Sequence, residues 1–445
     1  MATGYLSHTM STPTNRKKST ISAWVKKTSE GANSTIFGGG DAATDCAFLN
    51  FNTSDKLFLQ SATSDSADWG ITTSAVFRDS AAWYHVVAKI DTTQSTSTDR
   101  VKIYVNGNLQ TVTGSYPSQN YDMQWSRNGE VQLVGKYPST GIYFNGVMAH
   151  VHFTDGYAYD ASTFGETDST SGIWKPKTAP SVTYGTNGFF LKFENSAAMG
   201  TDSSGQSNTF TVNNSVTQNI DSPSNNFATL NPLQQNNTAT TYSNGNTKGT
   251  GTSSTSNFSS TPATLAASVG KWYAEYKPNL SSTDSSISGF VNLDTADFNA
   301  TDYYGGSNNM SAGLYDSGGQ ILHSTGTNLG SVGALSNGDI VMLAMDLDNG
   351  YLYWGKNGTW FNSANPATSG GTGGLALSNL GSNGTYTFLN GNRKSMGTEW
   401  NFGSGFFGTT AVASANADAN GFGAFEYAVP SGYYALCTKN IKEFG

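Results

Sequence analysis

The sequence predicts an all-β protein made of two antiparallel β-sandwich domains. Three observations lead to this prediction. Only 12% of the 445 residues are charged, so Ser, Thr, Asn and Gly supply most of the polarity, and these residues are poor helix formers typical of turns and sheet surfaces. Aromatic residues reach 12%, which provides large apolar groups for buried cores. Short apolar runs also alternate with turn signals along most of the chain.

Strand patterns occupy the first half of the chain. Apolar residues that recur with a period of two indicate a strand with one buried face. The patterns are STISAWVKK (19–27), WYHVVAKID (83–91), the hairpin RVKIYVNGNLQTV (100–112), VMAHVHFTDG (147–156) and GFFLKFEN (188–195). The Asn106–Gly107 pair favours a two-residue hairpin turn.

Residues 195–262 separate two series of strands. This stretch consists mainly of Ser, Thr, Asn and Gly and has few apolar anchors, which is typical of an interdomain boundary. We therefore assign residues 1–220 to a first domain and residues 221–445 to a second. Both lengths suit a single β-sandwich.

The second series of strands begins at residue 270. Its patterns are GKWYAEYKP (270–278), SGFVNLD (288–294), SAGLYD (311–316), TYTFLNG (385–391), EWNFGSGFF (399–407) and YYALCTKNI (433–441). Within this series, DLDNGYLYWGKNGTWFN (346–362) holds two Asn-Gly pairs, at 349–350 and 357–358. Two-residue turns at these pairs predict a three-stranded meander, with positive φ at Gly350 and Gly358. Its packing residues are predicted to be Val341, Leu343, Leu352 and Trp354.

Composition also argues against several classes of protein. The formal net charge is −8 and no long basic run occurs, so we expect no nucleic-acid partner. No apolar window approaches 18 residues, and no signal peptide is visible, so we expect no membrane insertion. Cys46 and Cys437 lie in no zinc or redox pattern. They are interpreted either as two buried thiols or as a disulfide.

Two family resemblances lie in these strand patterns. The motifs STISAWVKK, WYHVVAKID, VKIYVNGNLQ and YFNGVMAHVHFTDG resemble a laminin-G/concanavalin-A-like jelly roll. The motifs GKWYAEY, NGDIVMLAMDLDNGYLYWGKNGTWF, NFGSGFF and VPSGYYALCTKNI resemble a SPRY domain. The resemblances imply a jelly roll in the first half and a SPRY-like sandwich in the second.

A third resemblance concerns the origin of the chain. The stretches YLSHTMSTPTNRKKSTISAWVKK, STFGETDSTSGIWKPK, YGTNGFFLKF and SPSNNFATLNPL resemble virion proteins of tailed phages, especially of marine and cyanobacterial hosts. This implies a non-enzymatic structural or adhesion protein on the virion surface, made in the host cytoplasm. It would belong to a tail fibre, a tail tip or a head-surface fibre or decoration. The implied partners are other virion proteins, further copies of the chain with a trimer favoured, and a host surface glycan or protein.

Few residue patterns in the sequence could form a catalytic or metal site. A polysaccharide depolymerase needs two facing carboxylates, and the nearest approaches are Glu166 with Asp168 and Asp346 with Asp348. We therefore predict no catalytic residues, with a virion depolymerase or a free lectin as the alternatives. His150 and His152 should share one strand face, and with His85 they could begin a metal site.

The remaining candidates are calcium ligands and aromatic loop residues. Jelly rolls similar to this one often hold Ca²⁺, the one candidate cofactor, and the loop residues that suit it are Asp41, Asp45, Asp155 and Asp202. Aromatic side chains in loops can stack on sugars or anchor protein partners. The candidates for ligand binding are Tyr303 and Tyr304 in a Gly-rich loop, and Trp360 after a tight turn.

Overall fold

Two compact units, residues 1–218 and 219–445, make up the chain in a computed structural model. The structure describes residues 3–41, 44–139, 141–235, 240–252, 258–280, 286–296, 298, 311–316, 318–323, 328–368, 370–381 and 383–445. Within these ranges strands provide nearly all regular structure, and the one α-helix is α1 (Thr438–Phe444). No helix among these residues is long and apolar enough to span a membrane. The all-β prediction is confirmed.

The N-terminal unit is built from short strands joined by tight turns. Its described strands are β1 (Tyr5–Thr9), β2 (Lys18–Lys27), β3 (Ser34–Gly40), β4 (Cys46–Phe51), β5 (Leu57–Thr63), β6 (Ser66–Thr73), β7 (Tyr84–Asp91), β8 (Val101–Val105), β9 (Asn108–Leu109), β10 (Val112–Ser115), β11 (Val131–Val134), β12 (Gly146–Asp155), β13 (Gly165–Thr167), β14 (Trp174–Pro176), β15 (Phe189–Leu191) and β16 (Thr211–Asn213). Its 3₁₀ turns are Ser97–Asp99, Gln124–Ser126 and Ala161–Thr163.

Two antiparallel sheets enclose the core of this unit. Sheet A has eight strands in the order β10-β6-β5-β4-β3-β11-β1-β16, and sheet B has six in the order β15-β12-β2-β7-β8-β9. β13 and β14 form a separate hairpin. Alternation turns one face of each sheet inward, so Ile21 of β2 and Leu49 of β4 are both fully buried in one core cluster. All five strand patterns predicted for this half are present as strands.

The C-terminal unit repeats this construction with different topology. Its described strands are β17 (Thr240–Ser243), β18 (Lys248–Gly251), β19 (Ser259–Pro262), β20 (Lys271–Asn279), β21 (Ile287–Asn292), β22 (Ser311–Tyr315), β23 (Gln320–His323), β24 (Asn328–Ser331), β25 (Val341–Asp346), β26 (Tyr351–Lys356), β27 (Thr359–Trp360), β28 (Leu375–Ala376), β29 (Tyr386–Asn392), β30 (Gly397–Asn401), β31 (Phe406–Phe407), β32 (Thr410–Ala411) and β33 (Tyr434–Ala435). Its 3₁₀ turns are Phe361–Ser363 and Leu377–Leu380.

Two sheets again face each other across a core. Sheet C follows the order β17-β18-β30-β20-β25-β26-β27, with β28 added to β26 and β33 added to β20. Sheet D follows the order β19-β29-β21-β22-β23-β24. Val341, Leu343, Leu352 and Trp354 of sheet C lie in the core, as predicted. The outer face of sheet C is also covered, because Tyr273, Tyr353 and Phe425 form a second buried cluster there.

The two Asn-Gly pairs of the meander form different turns. Asn357 and Gly358 have φ values of 50° and 82°, which suits the predicted two-residue turn. The first pair belongs to a four-residue loop between β25 and β26, in which Gly350 has a φ of 78° while the φ of Asn349 is not positive. The Asp346 carboxylate accepts the Asn349 N–H at 2.9 Å. This local hydrogen bond holds a longer loop, so the prediction of a two-residue turn there is wrong.

Two further stretches differ from the sequence prediction. The pattern YYALCTKNI is a strand only at β33, and α1 follows it. The Asn440 side chain donates to Asp418 Oδ2 at 2.8 Å and to Ala435 O at 2.9 Å, which anchors the helix to preceding segments. Residues 211–262, where strand signals are weak, contain β16 to β19. β16 is largely exposed and polar, so no apolar alternation marks it.

Candidate functional site

Trp360 lies at the end of β27, directly after the Asn357–Gly358 turn. Its side chain is half-buried, and its ring centroid is 6.3 Å from that of the buried Tyr273. Gly355 is its cross-strand partner, and an ideal Cβ on Gly355 would lie 3.1 Å from Trp360 Cε3. The indole is therefore packed on the sheet on one side and accessible on another.

A second aromatic side chain adjoins the same turn. Tyr427 is half-buried, and an ideal Cβ on Gly358 would lie 3.1 Å from its ring. Trp360 and Tyr427 both pack against the buried cluster on the outer face of sheet C. Burial raises the pKa of Tyr427 above its ordinary value. Tyr427 was not predicted, because AFEYAVP has no pattern that links it to a turn about 70 residues earlier.

The turn between these two rings is held by side-chain hydrogen bonds. Asn357 Oδ1 accepts the Ile340 N–H at 2.8 Å, and Asn357 Nδ2 donates to Asp339 Oδ1 at 2.7 Å. Lys356 Nζ donates to Ala334 O at 3.2 Å. We call the surface formed by Trp360, Tyr427 and the Asn357–Gly358 turn the rim. Of the predicted aromatic candidates, Trp360 thus lies at this rim, while Tyr303 and Tyr304 lie outside the described residues.

The four predicted calcium ligands lie at strand ends or in loops of the N-terminal unit. Asp41 follows β3, Asp45 precedes β4, Asp155 ends β12 and Asp202 follows β15. Asp45 accepts hydrogen bonds from Arg127 Nη1 (2.6 Å) and Ser64 N (2.9 Å). Asp155 accepts them from Thr14 N (2.8 Å) and Asn187 N (3.1 Å). Asp202 accepts them from Phe190 N (2.9 Å) and Asn208 N (2.9 Å). Nowhere in the described ranges do three His, Cys, Asp or Glu side chains lie together as metal ligands. Calcium binding by these residues stays a prediction.

His85 forms a buried pair with Ser22 that resembles a nucleophile and its base. Ser22 Oγ is 2.8 Å from His85 Nε2, and Trp174 Nε1 donates to His85 Nδ1 at 2.9 Å. Because an indole N–H can only donate, Nδ1 must be the acceptor and Nε2 must carry the proton. Burial lowers the pKa of His85 to about 3. His85 therefore donates to Ser22 and cannot take the proton of its hydroxyl.

The other two histidines depart from the predicted alternation. The register of β12 shifts between Ala149 and His152, and His150 has a φ of 48° in this bulge. His152 Nδ1 lies 2.9 Å from the Tyr184 hydroxyl, and its ring stacks on Phe190 at 3.9 Å. Burial lowers the pKa of both imidazoles. Both rings contact Phe190, but the bulge breaks the shared strand face that was predicted.

The nearest carboxylate pairs are engaged in structural contacts. Lys175 Nζ lies 3.6 Å from Glu166 Oε1 and 3.0 Å from Asp168 Oδ2 across the β13–β14 hairpin. Asp346 pairs with Lys271 at 2.9 Å, and Asp348 Oδ1 accepts the Gly270 N–H at 2.7 Å. Cys46 and Cys437 are free, buried thiols rather than a disulfide.

Comparison with known proteins supports the domain description. Residues 1–162 match Laminin_G_3, described as the concanavalin A-like lectin/glucanases superfamily. No curated protein sequence matches the chain.

Several solved structures resemble parts of this chain. The SPRY domain of human HERC1 shares 13% identity over 38% of this chain and 96% of its own, with a TM-score of 0.29. The heptameric SAP-like pentraxin from Limulus polyphemus shares 13% identity over 40% of this chain and 86% of its own, with a TM-score of 0.29. The Ruminococcus gnavus IT-sialidase CBM40 bound to alpha2,3 sialyllactose shares 18% identity over 30% and 73%, with a TM-score of 0.24. Residues 1–162 are thus similar to the concanavalin A-like lectin/glucanases superfamily.

Proposed function

We propose that this chain is a non-enzymatic structural and adhesion protein on the surface of a tailed-phage particle. It serves in a tail fibre, a tail tip or a head-surface fibre, and it binds a host glycan or protein. The virion-type sequence stretches and the lectin-type domain over residues 1–162 support this proposal. The observation that carries it is the pair of half-buried aromatic side chains, Trp360 and Tyr427, beside one braced turn.

The physical basis is the low entropic cost of binding through such rings. Trp and Tyr have few rotatable bonds and offer large apolar surfaces with one polar atom, so they are favoured where a surface is recognised. Tyr273 packs against Trp360, and the Asn357 side chain fixes the turn. A ligand that binds at this rim therefore fixes few additional side-chain conformations, so the entropic cost of binding is low.

Attachment and avidity complete the proposal. The chain contacts other virion proteins through sandwich surfaces, and its copies form a closed oligomer, with a trimer favoured. Each site binds weakly, and many copies on one particle strengthen adhesion.

Tyr303 and Tyr304 remain candidates for the same recognition role. No contact in the site favours the depolymerase alternative, since the carboxylate pairs are bound to Lys side chains or backbone amides.

The first experiment asks whether the chain belongs to the particle. Mass spectrometry of purified phage particles should detect it in a fixed copy number per particle. Its absence from particles whose other proteins are recovered would refute the virion assignment and would leave the free-lectin alternative.

The second experiment tests the rim. Particles that carry Trp360→Ala together with Tyr427→Ala should adsorb to host cells about tenfold more slowly, because two stacking surfaces are removed. Leu233→Ala is the matched control, since Leu233 is 54% exposed in the same unit and lies outside the rim. Normal adsorption by folded, fully incorporated double-variant particles would contradict recognition at this site.

A further inference from the structure

A buried ion pair joins the two sheets of the N-terminal unit. Lys27 ends β2 in sheet B, and Asp55 lies in the turn between β4 and β5 of sheet A. Lys27 Nζ donates to Asp55 Oδ1, and the two side chains are only 2% and 3% exposed. Removing two charges from water carries a large free-energy cost, which their mutual attraction offsets only in part. A neutral bond between the same two groups would remove that cost.

Aromatic residues enclose the amine of Lys27. Its Nζ lies 5.2 Å from the centroid of the buried Phe51 ring, and this centroid is 6.2 Å from that of the Phe77 ring. The Phe77 backbone fixes both partners, since its N–H donates to Asp55 O at 2.8 Å and its carbonyl accepts from Lys27 Nζ at 3.4 Å. The amine and the carboxylate are therefore held in one geometry, away from bulk solvent.

The Asp55 carboxylate is held by two further donors. Its Oδ1 accepts the Gly31 N–H at 2.9 Å, and its Oδ2 accepts from Arg78 Nε at 3.1 Å. Burial acts to raise the pKa of Asp55, but hydrogen bonds from Lys27, Gly31 and Arg78 lower this pKa overall. The resting state is therefore an ion pair. The Arg78 guanidinium is positioned to stabilise negative charge that develops on Oδ2.

Glu30 supplies a second carboxyl group beside this pair. It directly precedes Gly31, whose N–H contacts Asp55 Oδ1. Glu30 Oε1 is buried and has no hydrogen-bond partner among the described residues. Burial and the nearby Asp55 carboxylate raise the pKa of Glu30, while Lys27 and Arg78 act in the opposite direction. The protonated form of Glu30 is thus more favoured than in an ordinary glutamate, which suits a group that transfers protons.

We propose that Lys27 and Asp55 form an amide bond between their side chains, an isopeptide bond, with Glu30 as the general acid and base. The Lys27 ammonium first passes one proton to Asp55 Oδ1, which leaves a neutral amine and a carboxylic acid. The amine nitrogen attacks Asp55 Cγ, and Arg78 stabilises the negative charge on Oδ2. Glu30 gives its proton to Oδ1 and takes one from the nitrogen, so Oδ1 leaves as water. One C–N bond forms, one C–O bond breaks, and no oxidant or reductant is needed.

Two features of the fold favour this condensation. The fixed contact between the two groups gives the amine a high effective concentration at the carboxyl carbon. The product is neutral, so the cost of burying two charges disappears. The bond would tie sheet B to sheet A within the N-terminal unit, and the inference does not depend on the proposed function.

Intact mass spectrometry of the full chain tests the proposal. We expect the wild-type mass to be lower than that of the unlinked chain by one water molecule. Lys27→Arg lacks the amine and Asp55→Ala lacks the carboxyl group, so both proteins should have their full sequence masses.

Protease digestion locates the bond. No Lys or Arg lies between Lys27 and Lys56, and Glu30 is the one Glu in this stretch. Trypsin should leave a peptide of residues 27–56 that lacks one water and resists cleavage after Lys27. Cleavage after Glu30 should then leave the two parts of this peptide joined. A succinimide at an Asp residue also loses water, but its two parts would separate.

Glu30→Gln separates catalysis from folding. It keeps the side-chain size but cannot exchange a proton, so pulse-labelled protein should become linked about a hundredfold more slowly than the wild type. The Lys89–Asp160 pair is the matched control, because its 2.9 Å contact is exposed to solvent and should stay unlinked. A full-mass wild-type protein, water loss with separable parts, or an equal rate in folded Glu30→Gln protein would overturn the proposal.

Discussion

Glu275 is a buried carboxyl in β20 that ties a distant segment to sheet C. Its Oε1 accepts the Tyr427 N–H and the Tyr273 hydroxyl, each at 2.9 Å, and its Oε2 accepts the Glu426 N–H at 2.9 Å. Asn401 Nδ2 adds a longer contact of 3.5 Å to Oε2. Because Tyr427 belongs to the candidate rim, this carboxyl positions part of the proposed site.

Replacing Glu275 with Ala should destabilise the C-terminal unit strongly. The change leaves two backbone N–H groups and one hydroxyl in the interior without an acceptor. Each such group costs about 1–3 kcal/mol, so we expect a loss of about 3–9 kcal/mol in the free energy of unfolding. A domain of this size is stable by only about 5–15 kcal/mol, and its melting temperature should fall by about 10 °C or more.

The same carboxyl should make stability depend on pH. Burial raises the pKa of Glu275 to about 7, although its hydrogen-bond donors act in the opposite direction. Because the folded pKa lies above the unfolded one, the stabilisation is complete below about pH 4.5 and is lost as the pH rises through about 7. The loss amounts to about 3 kcal/mol. Glu275→Gln cannot titrate, so its stability should lack this component.

Urea denaturation near pH 5 and near pH 8, together with amide hydrogen exchange, measures both effects. Exchange should accelerate at Glu426 and Tyr427 in Glu275→Ala. Glu275→Gln is the control that keeps the side-chain volume. Unchanged exchange at these two amides, or equal pH dependence in the wild-type and Gln proteins, would refute the role assigned to this carboxyl.

Three further predictions concern turns, histidines and assembly. Gly350→Val and Gly358→Val should each destabilise the C-terminal unit by about 1 kcal/mol or more in urea titrations, since both glycines have positive φ. Gly358→Val should be the more destabilising change, because its Cβ would contact the Tyr427 ring. Urea midpoints equal to the wild-type value in both variants would contradict this prediction. Burial lowers the pKa of His85 to about 3 and also lowers the pKa of His152, so their neutral forms stabilise the N-terminal unit above about pH 6.5. About 2 kcal/mol should be lost at His85 by about pH 5, and protonation of His152 should add to this loss. A free energy of unfolding that does not change between about pH 6.5 and pH 5 would contradict this role of the histidines. Light scattering of the full chain should give about three times the chain mass, and a monomer in solution and on particles would rule out the trimer.

Local sequence predicted much of the scaffold correctly. The meander shows why: Val341, Leu343, Leu352 and Trp354 lie on one face of their strands by the period of two, and all four are buried in the core. The residues between them, such as Met342 and Ala344, face a second buried cluster. The positive φ predicted for Gly350 is present, but the turn that contains it is longer than the two residues predicted. The Asn349–Gly350 pair is compatible with several turns, and the choice depended on the Asp346 side chain reaching Asn349 N.

The candidate sites were predictable only in part. Trp360 could be found because it follows a strong turn signal, whereas Tyr427 is joined to that turn only by folding. The predicted calcium ligands share a residue type that suits the ion, but their spacing did not indicate the hydrogen-bond donors that three of them have, such as Arg127 for Asp45. Spacing along the chain carries no information about such long-range partners.

The sequence by itself determined the all-β class, the positions of most strands and the low charge of the surface. These properties depend on residue types and on a period of two, which are local. Tertiary structure alone decided which outward faces are covered and which side chains meet. Trp174 reaches His85 from 89 positions away and fixes its tautomer, and Gly70 opens the space that the Phe58 ring occupies. Such pairings depend on strand register and on the path of long loops, which are set by the packing of the whole unit rather than by any short stretch of sequence.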